Sequence, residues 1–199
     1  MDTTPVLSDD QWHTLVAARA AYASTVSEFY DETFWCVSHR GQATGSFGKV
    51  DIGALLLWKR LRADTVWVGE LMALPDNHVR EVTAASVNAV RDTSLSRMSA
   101  AKSGRAALAT LPGFRTGDAL ASALLTAAAP ERMAIYDRRA HAALHTLGIT
   151  VGHAPGRYGR YMDAIDQLLA HGPRPTRTWT ARDMDIALYW LARPTTATP

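Results

Sequence analysis

The residue best suited to take part in a chemical reaction is Asp137. It follows a short extended piece at residues 133–136 and precedes helix-compatible sequence. A carboxylate in this position can cap the new helix by accepting a backbone N–H. It can also act in catalysis, by stabilising a positive charge that develops in a reaction or by accepting a proton from an attacking water. The two roles are compatible, and we expect Asp137 to cap the helix in either case.

The stretch that leads to this aspartate, residues 111–137, reads LPGFRTGDALASALLTAAAPERMAIYD. Leu-Pro-Gly ends one helix, and Thr116 is a candidate N-cap for a second helix with Asp118 in its first turn. Small residues and leucines then recur at helical spacing, so other helices can pack closely against this one. Gly113 can adopt a backbone conformation closed to other residues, and the N–H groups of the turn can face a phosphate.

This order of helix, glycine hairpin, helix and aspartate resembles the helix-hairpin-helix DNA glycosylase superfamily, and within it the 8-oxoguanine DNA glycosylase-like branch. The family's hairpin typically reads Leu-Pro-Gly-hydrophobic-Gly, and its essential aspartate follows the second hairpin helix. The match puts a helix-hairpin-helix at about residues 95–128 and the catalytic aspartate at Asp137. The resemblance implies that the DNA backbone is bound by Gly113, Phe114, Arg115, Thr116 and Gly117.

Two positions depart from the family's pattern. Arg115 stands where the second hairpin glycine is usual, and an arginine there can reach a phosphate. Gly117 stands where the lyase-competent members carry the lysine that forms a Schiff base. The hairpin therefore offers no amine for a covalent intermediate, which excludes lyase chemistry at that position.

Three further residues are candidates for a pocket that holds an everted base. His141 lies one helical turn after Asp137 and shares its face, although a lone histidine on a helix is more often packed or solvated. Trp58 can stack on a flipped base or belong to the core. Lys59 can supply an amine from outside the hairpin, contact a phosphate, or lie at the surface beside a buried tryptophan. The sequence leaves these alternatives open.

The composition is ordinary for a soluble globular protein, with 199 residues of which 47% are hydrophobic and 20% charged. A net charge of +2 is a weak argument for nucleic acid, but arginines concentrate in the C-terminal third. Cys36 is the only cysteine, which excludes an intrachain disulfide and a cysteine-ligated zinc or iron–sulfur site. We expect neither a metal nor another cofactor.

No apolar run approaches the length needed to cross a bilayer, and no signal peptide is visible. We therefore expect a cytoplasmic protein. The family resemblance implies that it binds double-stranded DNA as a nucleoid-associated bacterial protein, and we predict no protein partner.

Helical patterns recur along the chain and no segment alternates as a strand would, which predicts a single all-α domain over residues 1–199. The first helix is expected to continue to Phe29. The polar, glycine-rich residues 38–48 are expected to form a mobile loop, and residues 194–199 a disordered tail. Thr180 is expected to cap the last helix, residues 182–192.

Two functions of different classes fit these observations. The leading one is a monofunctional, metal-independent DNA glycosylase-like enzyme that everts a damaged or modified base, with a purine lesion favoured, and hydrolyses its N-glycosidic bond. The alternative is a non-catalytic helix-hairpin-helix DNA-binding protein, for example an accessory in phage defence or regulation. A third possibility is action on a modified base or nucleotide outside repair. The first two differ in whether Asp137 faces a pocket that can hold a base.

Overall fold

The computed structural model describes residues 7–193, and within this range the chain is all-helical, as predicted. The α-helices are α1 (Asp9–Thr25), α2 (Glu32–Thr44), α3 (Lys49–Trp58), α4 (Val66–Ala73), α5 (Asp76–Arg91), α6 (Arg97–Leu108), α7 (Ala119–Ala128), α8 (Arg138–Thr146), α9 (Arg157–His171) and α10 (Ala181–Leu191). A 3-10 turn, Arg174–Thr176, precedes α10. The predicted disordered tail at residues 194–199 lies outside the described residues.

Helix α7 lies at the centre of the fold, where residues 120–128 are all buried. It contacts α2, α3, α5 and α6. Its side chains are Ala, Leu, Ser and Thr, so it is apolar or small on every side and can be enclosed. The approach of α6 is close, because a Cβ on Gly104 would lie 2.8 Å from the side chain of Val90 and 2.9 Å from that of Leu125.

Further contacts join the other helices into two groups. In one group α5 packs against α6 and α6 packs against α9. In the other, α1 and α8 both pack against α10, and α10 also contacts α9. This arrangement brings the N-terminal helix and the C-terminal helix together, with the start of α8 beside them.

The extended segment at residues 133–136 is buried and delivers Asp137 to the start of α8. Helices on several sides fix its backbone. The N–H of Tyr136 donates to Oγ of Ser122 in α7 at 2.9 Å, and the hydroxyl of Tyr158 in α9 donates to the carbonyl of Ala134 at 2.9 Å. The position of the aspartate therefore depends on the packed core rather than on a free loop.

The prediction of a mobile loop at residues 38–48 is wrong, because most of this segment belongs to α2. Ser38 is buried, and its hydroxyl donates to the carbonyl of Ala127 at 2.8 Å. Its glycines have packing and capping roles. A Cβ on Gly41 would lie 2.2 Å from the ring of Phe47, and Gly45 ends the helix with a φ of 69°. Glycine-rich composition here marks close contact and a helix end instead of mobility.

The end of α1 and the N-cap of α7 differ from the predictions made from the sequence, whereas the N-cap of α10 agrees with its prediction. Helix α1 ends at Thr25, and Phe29 lies in the following turn with 63% of its surface exposed. The N-cap of α7 is Asp118 and not Thr116, because the chain still turns at Gly117, whose φ is 74°. Thr180 caps α10 as predicted, since its Oγ1 accepts the N–H of the third residue of that helix.

Candidate functional site

Asp137 is the N-cap of α8. Its Oδ1 accepts the backbone N–H of Arg139 at 2.9 Å, which is the capping interaction expected from the sequence. Its other oxygen, Oδ2, accepts from Nζ of Lys59 at 2.7 Å. The side chain of Asp137 is 25% exposed and that of Lys59 is 13% exposed. The carboxylate is therefore bound on both oxygens and still reaches the surface of a cavity.

Lys59 comes from the C-terminal end of α3, where the chain makes a Schellman turn. The N–H of Leu61 donates to the carbonyl of Leu56 at 3.0 Å, and Arg60 adopts a φ of 54°. That left-handed conformation is ordinarily taken by glycine. Among residues 7–193, Arg60 is the only residue other than glycine with a positive φ. The turn ends α3 and leaves Lys59 as its C-cap, beside Asp137.

The pKa of Asp137 lies below its ordinary value. Burial acts in the opposite direction and raises this pKa, but the charge of Lys59 and the hydrogen bond from its Nζ lower it. The N–H and the charge of Arg139 lower it further. Asp137 is consequently ionised at neutral pH, which is the form that can stabilise a developing cation.

The ion pair lies in the wall of a cavity of about 590 Å³. This volume is within the range of small-molecule sites, about 300–1,000 Å³. The cavity is bounded by the end of α1, the turn after it, the end of α3, the start of α8 and one face of α10. Its aromatic lining residues are Tyr22, Tyr30, Trp58, Tyr189 and Trp190. Rings of this kind can stack on a planar heterocycle.

A buried ion-pair network forms one wall of the cavity. Arg182 donates to Oδ1 of Asp185 at 2.5 Å and lies 3.7 Å from Oδ2 of Asp31. Oδ2 of Asp185 accepts the N–H of Ile135 at 2.6 Å, and Oδ1 of Asp31 accepts from Nε1 of Trp58 at 3.0 Å. The network therefore links an aromatic ring of the cavity to the extended segment that precedes α8.

Burial raises the pKa of Asp185 to about 6, against the opposing charge of Arg182 and the N–H of Ile135. The sequence reasoning missed this network. Arg182 and Asp185 have the i, i+3 spacing that permits an ion pair on a helix, but such spacing does not show that the pair is buried. Asp31 carries no sequence signal at all.

Of the residues predicted for the pocket, Lys59 and Trp58 line the cavity and His141 does not. Nε2 of His141 lies 2.7 Å from the carbonyl oxygen of Val151, and its ring is 4.9 Å from that of His153. His141 thus contacts the loop after α8. The structure brings the catalytic candidate together with the lysine and the tryptophan only.

The hairpin segment between α6 and α7 has the glycine conformation that the sequence predicts. Gly113 has a φ of 84°, and a Cβ there would lie 2.3 Å from the ring of Trp67. Phe114 is fully buried, so its side chain belongs to the core and cannot contact DNA. Within the described residues the guanidinium of Arg115 has no hydrogen-bond or ion-pair partner. The exposed hairpin residues are Arg115, Thr116 and Gly117.

Asp118 ties the hairpin to the rest of the site. Its carboxylate binds Arg105 of α6 at 3.2 Å and Arg157 of α9 at 2.7 Å. The guanidinium of Arg157 lies 4.5 Å from the ring centroid of Tyr136, the residue before Asp137. The hairpin and the N-terminus of α8 are therefore joined through one carboxylate and one arginine.

Comparison of the chain with protein-family models, with curated proteins and with solved structures finds no match in any of the three. In residues 7–193, no group of three or more His, Cys, Asp or Glu side chains is placed to hold a metal ion. No helix of that same part is long and apolar enough to cross a membrane.

Proposed function

We propose that this protein is a monofunctional DNA glycosylase-like enzyme that everts a damaged or modified base from double-stranded DNA and hydrolyses its N-glycosidic bond. The observation that carries the proposal is the position of Asp137, an ionised carboxylate in the wall of a cavity lined with aromatic rings. The order of helix, hairpin, helix and aspartate supports it, and through the family resemblance favours a purine lesion.

The chemistry requires a negative charge close to the sugar. As the N-glycosidic bond breaks, the base leaves with the bonding electrons and positive charge develops on the deoxyribose. Asp137 stabilises that charge in a half-buried setting, where electrostatic interactions are stronger than in water. Water then adds to C1′, and the carboxylate accepts the proton that the water loses. The departed base takes up a proton from solvent as Asp137 returns its own, so that the products are the free base and the abasic sugar.

Lys59 has a supporting role in this mechanism. Its Nζ holds Oδ2 of Asp137, while the backbone N–H of Arg139 holds Oδ1, so the carboxylate has a fixed orientation. An ammonium group that donates to a carboxylate is not a nucleophile. Together with Gly117 at the hairpin position of the Schiff-base lysine, this favours hydrolysis over a covalent route.

The cavity supplies the place for the everted base. Tyr30 is 41% exposed at its rim, and Trp58 is held in its wall by the hydrogen bond to Asp31. A base that leaves the duplex loses its stacking, and aromatic side chains replace part of it. The exposed hairpin with Arg115 contacts the DNA backbone independently of sequence.

The proposal is tested with a panel of duplexes that carry different damaged or modified bases, each incubated with the protein and divided into samples with and without alkali. A monofunctional glycosylase leaves abasic sites, so strands break only after alkali. Release of a base by the wild type and not by Asp137→Asn would support the proposal. Duplex binding without release of any base would show that the protein is a non-catalytic helix-hairpin-helix DNA-binding protein.

A further inference from the structure

The cavity beside Asp137 concentrates positive charge. Among residues 7–193 its lining contains five cationic side chains and two carboxylates, a net charge of +3, whereas the whole chain carries +2. Both carboxylates already have cationic partners, Lys59 for Asp137 and Arg182 for Asp185. The remaining cations form no ion pair in the described part of the chain: Arg60, Arg139 and Arg193.

Arg60 is an unexpected residue at its position in the backbone. It occupies the left-handed site of the Schellman turn after α3, with a φ of 54°, where glycine avoids the steric penalty. Its side chain is exposed and lines the cavity. Within residues 7–193 its guanidinium has neither a hydrogen bond nor an ion pair. No contact within the described residues therefore favours an arginine over a glycine at this position.

The other two arginines are held by aromatic rings of the cavity. Arg139 lies in the first turn of α8, where the helix dipole disfavours a cation, and the N-cap Asp137 next to this turn forms no ion pair with it. Its guanidinium lies 5.4 Å from the ring centroid of Tyr189 and donates to the hydroxyl of that tyrosine at 3.2 Å. The guanidinium of Arg193 lies 4.4 Å from the ring centroid of Trp190. Both charges are therefore oriented without being neutralised.

We propose that Arg60, Arg139 and Arg193 form a phosphate site at the cavity, so that its ligand is a nucleotide bound by its phosphate as well as by its base. The assignment of the base to the cavity rests on the proposed function, but the phosphate site does not depend on catalysis. Guanidinium groups bind phosphate oxygens through charge-assisted and often bidentate hydrogen bonds. In DNA the phosphate is the diester beside the everted nucleotide, and in a free nucleotide it is a monoester.

The first test compares deoxyguanosine monophosphate with deoxyguanosine by calorimetry. We expect the monophosphate to bind at least about tenfold more tightly to the wild type, because two or more charge-assisted hydrogen bonds are added. Arg60→Gly should lose most of that difference and Arg60→Lys should retain part of it. Glycine suits the left-handed backbone, so Arg60→Gly should melt at the same temperature as the wild type or higher, which separates the effect from misfolding.

The second test uses a duplex with a stable abasic-site analogue and the matching intact duplex, over a range of salt concentrations. If the site holds a DNA phosphate, Arg60→Gly should reduce the salt slope for the abasic duplex by about 1 and reduce the preference for it. Arg115→Ala in the hairpin is the matched control, since it should weaken both duplexes equally and leave binding of the free nucleotide unchanged.

The outcomes decide between the sources of the phosphate. An effect of Arg60→Gly on the nucleotide and the abasic duplex supports the phosphate site within DNA, and an effect on the free nucleotide alone supports it for nucleoside monophosphates. Two results would overturn the proposal. One is that Arg60→Gly binds these ligands as tightly as the wild type. The other is that the wild type prefers neither the monophosphate to the nucleoside nor the abasic duplex to the intact one. If only the glycosylase assignment is wrong, the protein should release no base, while the differences in ligand binding between Arg60→Gly and the wild type remain.

Discussion

Nζ of Lys59 lies 2.7 Å from Oδ2 of Asp137, although 78 residues separate the two in the sequence. The lysine stands at the C-terminal end of α3 and the aspartate at the N-terminal end of α8. Each charge is therefore at the helix end whose dipole stabilises it. The two helix ends and the two side chains together keep the carboxylate ionised in the wall of the cavity.

Removing the lysine charge should change how the carboxylate titrates. In Lys59→Met the side chain keeps its length, and burial, which raises the pKa of Asp137, is opposed mainly by Arg139. The pKa of Asp137 should then rise. In the proposed mechanism base release requires the ionised form, so the acid limb of the rate profile should move to higher pH than in the wild type.

This shift is measured as single-turnover base release against pH, with a carbon NMR titration of the Asp137 carboxyl in both proteins. Lys49→Met is the matched control, because Lys49 lies at the other end of α3 and donates to the carbonyls of Met72 and Leu74. An unchanged titration in Lys59→Met would contradict the coupling of the two charges.

The buried Asp185 should make a contribution to stability with the opposite pH dependence from that of an ordinary paired carboxylate. Burial raises its pKa to about 6 in the folded protein, against about 3.9 in an unfolded chain. The folded state thus binds more protons between these values, and this group's contribution to the free energy of unfolding falls as the pH rises through them. Relative to the wild type, Asp185→Asn should therefore gain stability as the pH rises from about 4 to about 6.

Urea unfolding of both proteins across this pH window measures the difference. Asp64→Asn is a useful comparison, because the hydrogen bond from Arg62 lowers the pKa of Asp64 and burial opposes this only in part. Its effect should have the reverse sign and lie at lower pH, because below the unfolded value of about 3.9 the wild type should gain on the variant as the pH rises. A stability difference for Asp185→Asn that does not vary with pH would show that this carboxyl does not titrate in the window.

The parts of the site that the sequence predicts are those with local signals. An aspartate before helix-compatible residues predicts the cap at Asp137, and the glycine of Leu-Pro-Gly predicts the positive φ of Gly113. Both depend on a few neighbouring residues, so both are found where expected. The all-α class follows likewise from helical spacing, which is a local property of the chain.

The remaining parts depend on tertiary contacts that no local pattern encodes. Lys59 reaches Asp137 only because α3 and the segment before α8 end at the same cavity. Arg182 looks like a solvated helix charge in the sequence, but its side chain is only 13% exposed and lies between two carboxylates. The glycines of α2 are misleading for the same reason, since Gly41 is required by the ring of Phe47 on another segment.

The predicted role of the hairpin in DNA binding can be tested by replacing Gly113. In Gly113→Val the Cβ would clash with the ring of Trp67, which lies 2.3 Å away, and the φ of 84° would be strained. The hairpin should lose its geometry, so duplex binding should weaken and its salt slope should decrease because phosphate contacts are lost. Arg115→Ala should act in the same direction more mildly, without a packing defect.

Binding is measured by fluorescence anisotropy on an undamaged duplex at several salt concentrations, with circular dichroism to establish folding. Gly53→Val is the matched control, because beyond its chain neighbours and the backbone of its own helix no atom lies within 4 Å of a Cβ at this exposed position on α3. A folded Gly113→Val protein with the affinity of the wild type would show that DNA is not bound by the hairpin.

The protein should form no covalent intermediate with DNA. Gly117 stands at the hairpin position where lyase-competent members of the family carry a lysine, so the hairpin offers no amine there. Nζ of Lys59 is an ammonium group that donates a hydrogen bond to Asp137. Borohydride added during reaction should therefore yield no cross-linked product on denaturing gels. Lys59 is the only lysine that lines the cavity, so if an adduct forms in the wild type and disappears in Lys59→Ala, the monofunctional assignment is wrong and the lysine is the nucleophile.

The replacement Asp137→Asn tests the functional proposal most directly. The amide oxygen can still accept the N–H of Arg139, so α8 keeps its cap, but the negative charge beside the sugar is lost. Base release should slow by about a hundredfold or more, equivalent to roughly 3 kcal/mol of transition-state stabilisation. Duplex affinity should stay the same or increase, because a carboxylate near phosphates repels them.

Base release and duplex affinity are measured on the best substrate from the lesion panel, under single-turnover conditions. The control is Asp183→Asn, which removes a carboxylate from the N-terminal turn of α10 outside the cavity. Its pKa, like that of Asp137, is held below the ordinary value despite burial, by hydrogen bonds from Thr180 and Arg19. That variant should release the base at the rate of the wild type. If Asp137→Asn does so as well, Asp137 is only the cap of α8, and the catalytic group lies elsewhere.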